Sequence, residues 1–194
     1  MSDRANTSRC VDSRDDVLFA QLYQRHLGSI RSYCRRRLTT DRVDDAVAEI
    51  FLTAWRRIDD VPAGDDALLW LYRVAYRVIG HEWRSAARRR RLGDRMRLMA
   101  RPAPLPGIDE TSIQADECRL VLEAATRLGG ADAEVLRLVA WEQLSIADVA
   151  EVLGIASNAV NQRLHRARRN LGNEYRRLES RQFSTPDAPQ GGNR

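Results

Sequence analysis

Asn158, Asn161, Gln162, His165, Arg166 and Arg169 recur at intervals of one to three residues and are all hydrogen-bonding or cationic. At about 100° per residue, such spacing gathers them on one side of a helix. Asn and Gln amides bond bidentately to adenine, Arg bonds to guanine, and Arg163, Arg166 and Arg168 can neutralise phosphates, so the chemistry on offer is recognition of duplex nucleic acid. The competing reading is an ordinary helical hairpin with a solvated polar side. A second set, Trp70, Arg73, Arg77 and Arg84, also falls at helical spacing. An exposed base can stack on an aromatic or a guanidinium while phosphates bind the cations, although Trp70 reads equally well as a core residue. Neither set is catalytic. His26, His81 and His165 are scattered, and Cys10, Cys34 and Cys118 lack any CxxC or Cys/His ligand spacing, so the sequence offers no enzyme site, no metal site and no cofactor site. Cys34 reads as core.

The elements that position the first set form a helix-turn-helix. Ser145 is placed to cap a short helix whose Ile146, Val149 and Ala150 face inward, and Ala150 is small where two helices cross. Gly154 suits the left-handed residue that ends this helix. Ser157 is a candidate cap for the next, whose buried side is Val160, Leu164, Ala167 and Leu171. Upstream, Leu120, Val121, Ala124, Ala125 and Leu128 predict a helix stopped by Gly129 and Gly130, with Asp132 as the cap of a following helix through Val135, Leu136, Val139 and Ala140.

Three further helices are expected nearer the N-terminus. Tyr23, Leu27, Ile30, Cys34 and Leu38 mark one apolar face, and Val43, Ala46, Val47, Ile50, Phe51, Ala54, Trp55 and Ile58 mark a second. Asp41 is expected as the N-cap of that second helix, with Asp44 and Asp45 in its first turn. Pro62 and Gly64 break the pattern, and a third helix starts near Asp66 with Leu71, Val74, Ala75, Val78 and Ile79 inward and the Trp70–Arg84 stripe on another side. No strand-like alternation occurs, so the fold class is all-α.

Charge is segregated. Asp41, Asp44, Asp45, Glu49, Asp59, Asp60, Asp65 and Asp66 precede a basic stretch from Arg84 to Arg101, predicting one face for a basic partner and one for an acidic partner. The net charge is +5, and all its basic side chains other than histidine are Arg, which suits bidentate phosphate contact or simply reflects codon usage. Pro102, Pro104, Pro106 and Gly107 predict an extended linker. The expected organisation is an N-terminal tail over 1–15, a helical domain over 16–92, a flexible linker over 93–116, a second helical domain over 117–179 and a disordered tail over 180–194. No apolar run reaches the roughly 18 residues of a membrane span and the N-terminus lacks a signal-peptide core. The expectation is a cytoplasmic chain without membrane insertion.

Two blocks in this order resemble the extracytoplasmic-function sigma factors, small subunits of bacterial RNA polymerase. LSIADVAEVLGIASNAVNQRLHRARRNL, from Leu144 to Leu171, is similar to the family's domain four, which reads the minus-35 promoter element. VDDAVAEIFLTAWRRI, from Val43 to Ile58, is similar to the domain-two segment that binds the polymerase clamp helices, and WLYRVAYRVIGHEWR, from Trp70 to Arg84, to the segment that handles the minus-ten element. The resemblance implies that Asp44, Asp45, Glu49 and Trp55 lie at or beneath the polymerase-binding surface. It also implies that Trp70, Arg73, Arg77 and Arg84 face the promoter where strands open, and that the loop Asp59–Ala67 helps hold a flipped base. The partners so implied are core RNA polymerase (clamp helices and flap), promoter DNA and an anti-sigma factor. Ala48 stands where the family often has Gln, and Arg77 where Asn is frequent. A helix-turn-helix regulator acting without polymerase is the alternative, but it needs a dimer or effector domain that the N-terminal block does not supply.

Overall fold

A computed structural model describes residues 13–93 and 113–183. The basic stretch beyond Arg84 is described only in its helical backbone, to Gly93, and most of the expected linker, with both outer tails, lies outside the described residues. The chain divides into two compact units, up to Ala103 and from Pro104. Among the described residues all regular structure is helical.

In the first unit α1 (Ser13–Arg35), α2 (Thr40–Arg56) and α3 (Asp66–Gly93) pack pairwise, with a single 3-10 turn at Ile58–Asp60 between α2 and α3. Each helix turns its apolar stripe inward: Ile30, Tyr33 and Cys34 from α1, Ile50 and Ala54 from α2, and Leu71, Ala75 and Ile79 from α3 are buried. Tyr33 and Tyr72 link α1 to α3 with ring centroids 5.2 Å apart. Arg37 is buried beside them, its guanidinium carbon 3.5 Å from the Tyr33 ring centroid and its Nη1 donating to the Tyr33 carbonyl. Stacking on the ring face offsets part of the desolvation of that charge.

Helix starts differ from expectation in instructive ways. The N-cap of α2 is Thr39, so Asp41 sits inside the first turn, and Asp44 and Asp45 fall in the second. Backbone pairing from Arg42 N–H to the Thr39 carbonyl fixes that start. Helix α1 begins at Ser13, within the segment expected as a tail.

In the second unit α4 (Ile113–Arg127), α5 (Gly130–Ala140), α6 (Ile146–Leu153) and α7 (Ser157–Phe183) surround a core in which Val135, Leu138, Val149 and Val160 are fully buried. α4 starts inside the expected linker, and α7 runs on beyond Leu171, the last residue of its expected buried side. Its C-terminal half continues through Leu171, Tyr175 and Leu178, which pack on Leu120 and Ala124 of α4. That extra apolar surface carries the helix into the expected tail. Val121, expected inward, is instead exposed. The N-cap of α5 is Gly129, with Gly130 at φ +74°, so Asp132 lies in the first turn rather than capping it.

Candidate nucleic-acid interface

The turn between α6 and α7 is pinned at both ends of α6. Ser145 Oγ accepts from the Asp148 N–H at 3.1 Å, and Asp148 Oδ2 accepts from the Ser145 N–H at 3.1 Å, a reciprocal capping box. At the other end Gly154 adopts φ +65°, ψ +40°; its N–H reaches the Glu151 carbonyl and the Ile155 N–H the Ala150 carbonyl, which is the Schellman closure. Any side chain at Gly154 would carry the left-handed penalty of about 1–2 kcal/mol. The start of α7 departs from expectation: the Ala156 carbonyl accepts from the Val160 N–H, which makes Ser157 the first helical residue.

Val160, Leu164 and Ala167 face the core of the unit, and Leu171 is half-buried, as the periodicity requires. The opposite side presents Asn158, Asn161, Gln162, His165 and Arg169, all exposed, while Arg163 is half-buried. Asn161, Gln162, His165 and Arg166 line a shallow hollow. Arg166 is exposed but engaged: Nε donates to Asp132 Oδ2 at 3.0 Å and Nη2 to Oδ1 at 3.1 Å. Hydrogen bonding from Arg166 holds the Asp132 carboxyl below its ordinary range against the opposing effect of burial, and Arg163 adds to the depression. The same bond pushes the Arg166 guanidinium value up.

In the first unit Trp70 and Arg73 are half-buried and Arg77 and Arg84 exposed, all on one side of α3. Arg84 folds back toward Gly80, whose added Cβ would stand 3.5 Å from Nη1. A hollow of about 720 Å³ lies between the N-terminal half of α1 and the Asp59–Ala67 loop, lined by Leu22, Arg25, His26, Pro62 and Ala67 among others. Arg25 donates to Asp65 at 3.0 Å and so ties the loop to α1.

The outer face of α2 carries Asp44, Asp45 and Glu49, all exposed. Asp44 pairs with Arg31, and Arg42 bridges from α2 to Glu82 of α3 at 2.6 Å with Asp45 at 3.9 Å on its other side. Glu82 raises the Arg42 value by hydrogen bond and charge. Trp55 is half-buried and meets Phe19 edge-on at 5.1 Å, with Phe51 and Tyr23 extending the ring cluster. Leu52, 45% exposed, stands between Glu49 and Trp55 on the same face. Sequence reasoning passed over Leu52, though its three-residue spacing from both neighbours signals the shared face. It also missed Asp132 as a partner of Arg166, for which no local signal exists.

Among the described residues no cluster of His, Cys, Asp and Glu is arranged to hold a metal ion, and no helix is long and apolar enough to cross a membrane.

A capped helix-turn-helix in one unit and an acidic-faced three-helix unit before it define the class of promoter-binding sigma subunits. Residues 22–89 match Sigma-70 region 2 and residues 118–171 match Sigma-70, region 4. The ECF RNA polymerase sigma factor SigL of Mycobacterium tuberculosis is 32% identical over 160 residues, covering 80% of this chain and 87% of that protein. The probable RNA polymerase sigma factor RfaY of Xanthomonas campestris pv. campestris is 32% identical over 136 residues, 68% of this chain but 33% of its own length. The fold is shared with the sigma factor RpoE of Bartonella quintana, solved in complex with the anti-sigma factor NepR: TM-score 0.67, 19% identity, covering 81% of this chain and 96% of that one. The chain belongs to the extracytoplasmic-function family of RNA polymerase sigma factors. It is a promoter-recognising subunit, and the rival reading as a regulator independent of polymerase leaves the region 2 match without explanation.

Proposed function

We propose a division of labour along the chain, with residues 16–92 serving as the polymerase-docking and minus-ten domain and 117–179 as the minus-35 domain. Asp44, Asp45 and Glu49, with Trp55 and Leu52 beside them, dock on the clamp helices of core RNA polymerase. Asn158, Asn161, Gln162, Arg163, His165, Arg166 and Arg169 read and grip the minus-35 duplex, and Trp70, Arg73, Arg77 and Arg84 take the opened minus-ten strand. Binding free energy drives melting, so the chain has no intrinsic enzymatic activity and no cofactor, and it works in the cytoplasm. An anti-sigma factor is its expected inhibitor, by analogy with the NepR complex of the Bartonella protein. The observation that carries the proposal is the exposed polar face from Asn158 to Arg169 on α7, set behind the capped α6 in a helix-turn-helix, the arrangement that places a second helix in a major groove.

Run-off transcription with core polymerase tests it. The purified chain is expected to confer defined start sites, and failure on every promoter template with all inhibitors removed would overturn it. Reversing Asp45 and Glu49 together to Arg is expected to abolish co-elution with core polymerase while leaving the helical circular dichroism intact. Co-elution at wild-type strength would refute the docking face. Gln162→Ala is expected to relax discrimination at one minus-35 base pair by about 1–3 kcal/mol. Equal weakening on every promoter variant would show that Gln162 reads no base.

A further inference from the structure

Arg166 lies on the flank of the recognition face, and its guanidinium forms a two-bond fork to a carboxylate on another helix. Asp132 reaches it from the first turn of α5, thirty-four positions earlier in the chain. A carboxylate meeting a guanidinium through two parallel N–H donors uses the same fork with which Arg takes a phosphate. The geometry points to Asp132 as an internal competitor for DNA phosphate: it occupies the Arg166 fork in the free protein and must yield it before Arg166 can hold the backbone.

This rests on α7 being the duplex-reading helix. The pair is not a buried strut. Side-chain exposure is 47% for Arg166 and 26% for Asp132, so water and phosphate both have access to the guanidinium. Arg163 lies close enough to depress the Asp132 carboxyl further, so the carboxylate tempers the field of two cations on that flank. The exchange is balanced in charge: a carboxylate partner leaves Arg166 and a phosphate takes its place. A phosphate contact carries no base information, so the effect falls equally on promoter and unrelated duplexes. Asp132 thereby holds down sequence-independent attachment and leaves base discrimination to Asn158, Asn161, Gln162 and Arg169.

The test uses the full chain with short duplexes carrying either the intact or a scrambled minus-35 element, titrated across a salt series. Asp132→Asn keeps the side-chain volume and removes the charge; Asp132→Ser is the second variant, and thermal melting reports whether either loses its fold. The expected result is a several-fold gain in affinity, equal on both duplexes, with a similar salt slope, because Arg166 makes the same phosphate contact once Asp132 has yielded. In an Arg166→Ala background the gain should vanish. Wild-type affinity in both Asp132 variants would overturn the proposal, and so would a gain that persists without Arg166, which would be a general charge effect. A change confined to the intact element would also overturn it, by making Arg166 a base reader. If no chain, wild type included, distinguishes the intact from the scrambled duplex, it is the recognition reading of α7 that fails, and the competitor role falls with it.

Discussion

Arg37 and Arg166 carry the same guanidinium and meet opposite fates. Arg37 is buried on the Tyr33 ring and belongs to the scaffold, whereas Arg166 stays on the surface with a partner that a ligand can displace. His26 shows the same sorting by environment. It is buried at the edge of the hollow beneath the Asp59–Ala67 loop, and burial, aided by Arg25 and opposed by Asp65, lowers its value. A depressed imidazole contributes stability that is complete above the unfolded value of about 6.5 and is lost as pH falls from there toward the folded value. The melting temperature of the first unit should therefore fall as pH drops below about 6.5. His26→Gln is expected to flatten that segment of the melting-temperature profile, and an unchanged profile would remove His26 as the cause. Asp132 titrates with the same sign at lower pH: its contribution is present above the ordinary carboxylate range and is lost only as pH falls through its depressed folded value.

Among the elements, α6 depends most on its ends. With eight residues it is too short to be stable through propensity alone, and its capping box, its Schellman closure and burial of Val149, Ala150 and Val152 hold it. Ser145→Ala removes one member of the box and leaves the Asp148 N–H without its side-chain acceptor. A loss of about 1 kcal/mol in the stability of the second unit is expected, read from chemical denaturation. A loss near zero would mean that packing against α7 alone holds the turn. The long α7 has the opposite design. Its first half carries the exposed polar face proposed to read DNA and its second half supplies Leu171, Tyr175 and Leu178 to the α4 contact, so that face is braced from behind.

At the scale of the whole molecule, the two units have separate cores. Leu138 is fully buried in the second, and Leu138→Ala is expected to destabilise that unit by about 2–5 kcal/mol. Hydrogen exchange should then quicken over 113–183 and remain at wild-type rates over 13–93. Equal acceleration in both stretches would mean that the units fold as one. The separation matches the charge layout, since the acidic face of α2 and the cationic face of α7 stand on different units.

Helix periodicity is a local property, repeated every three or four residues along one element, so the all-helical class, the helix-turn-helix and most buried positions, including Cys34, Leu71, Ile79, Val149 and Val160, were legible in the sequence, whereas buried Tyr33, Tyr72 and Leu138 were not. Gly154 and Ser145 were legible for the same reason: their roles are set by neighbours within four positions. Helix starts were less legible at Thr39, Gly129 and Ala156, because several adjacent residues can cap and only the backbone pairing chooses among them. The folded chain alone reveals that Asp132 holds Arg166, that Arg25 ties down Asp65, that Arg42 bridges to Glu82, and that Phe19 and Trp55 share one ring cluster. Those contacts join residues 34 to 40 positions apart, and which long polar side chains meet is set by how the helices are oriented and docked, information that no stretch of local sequence contains.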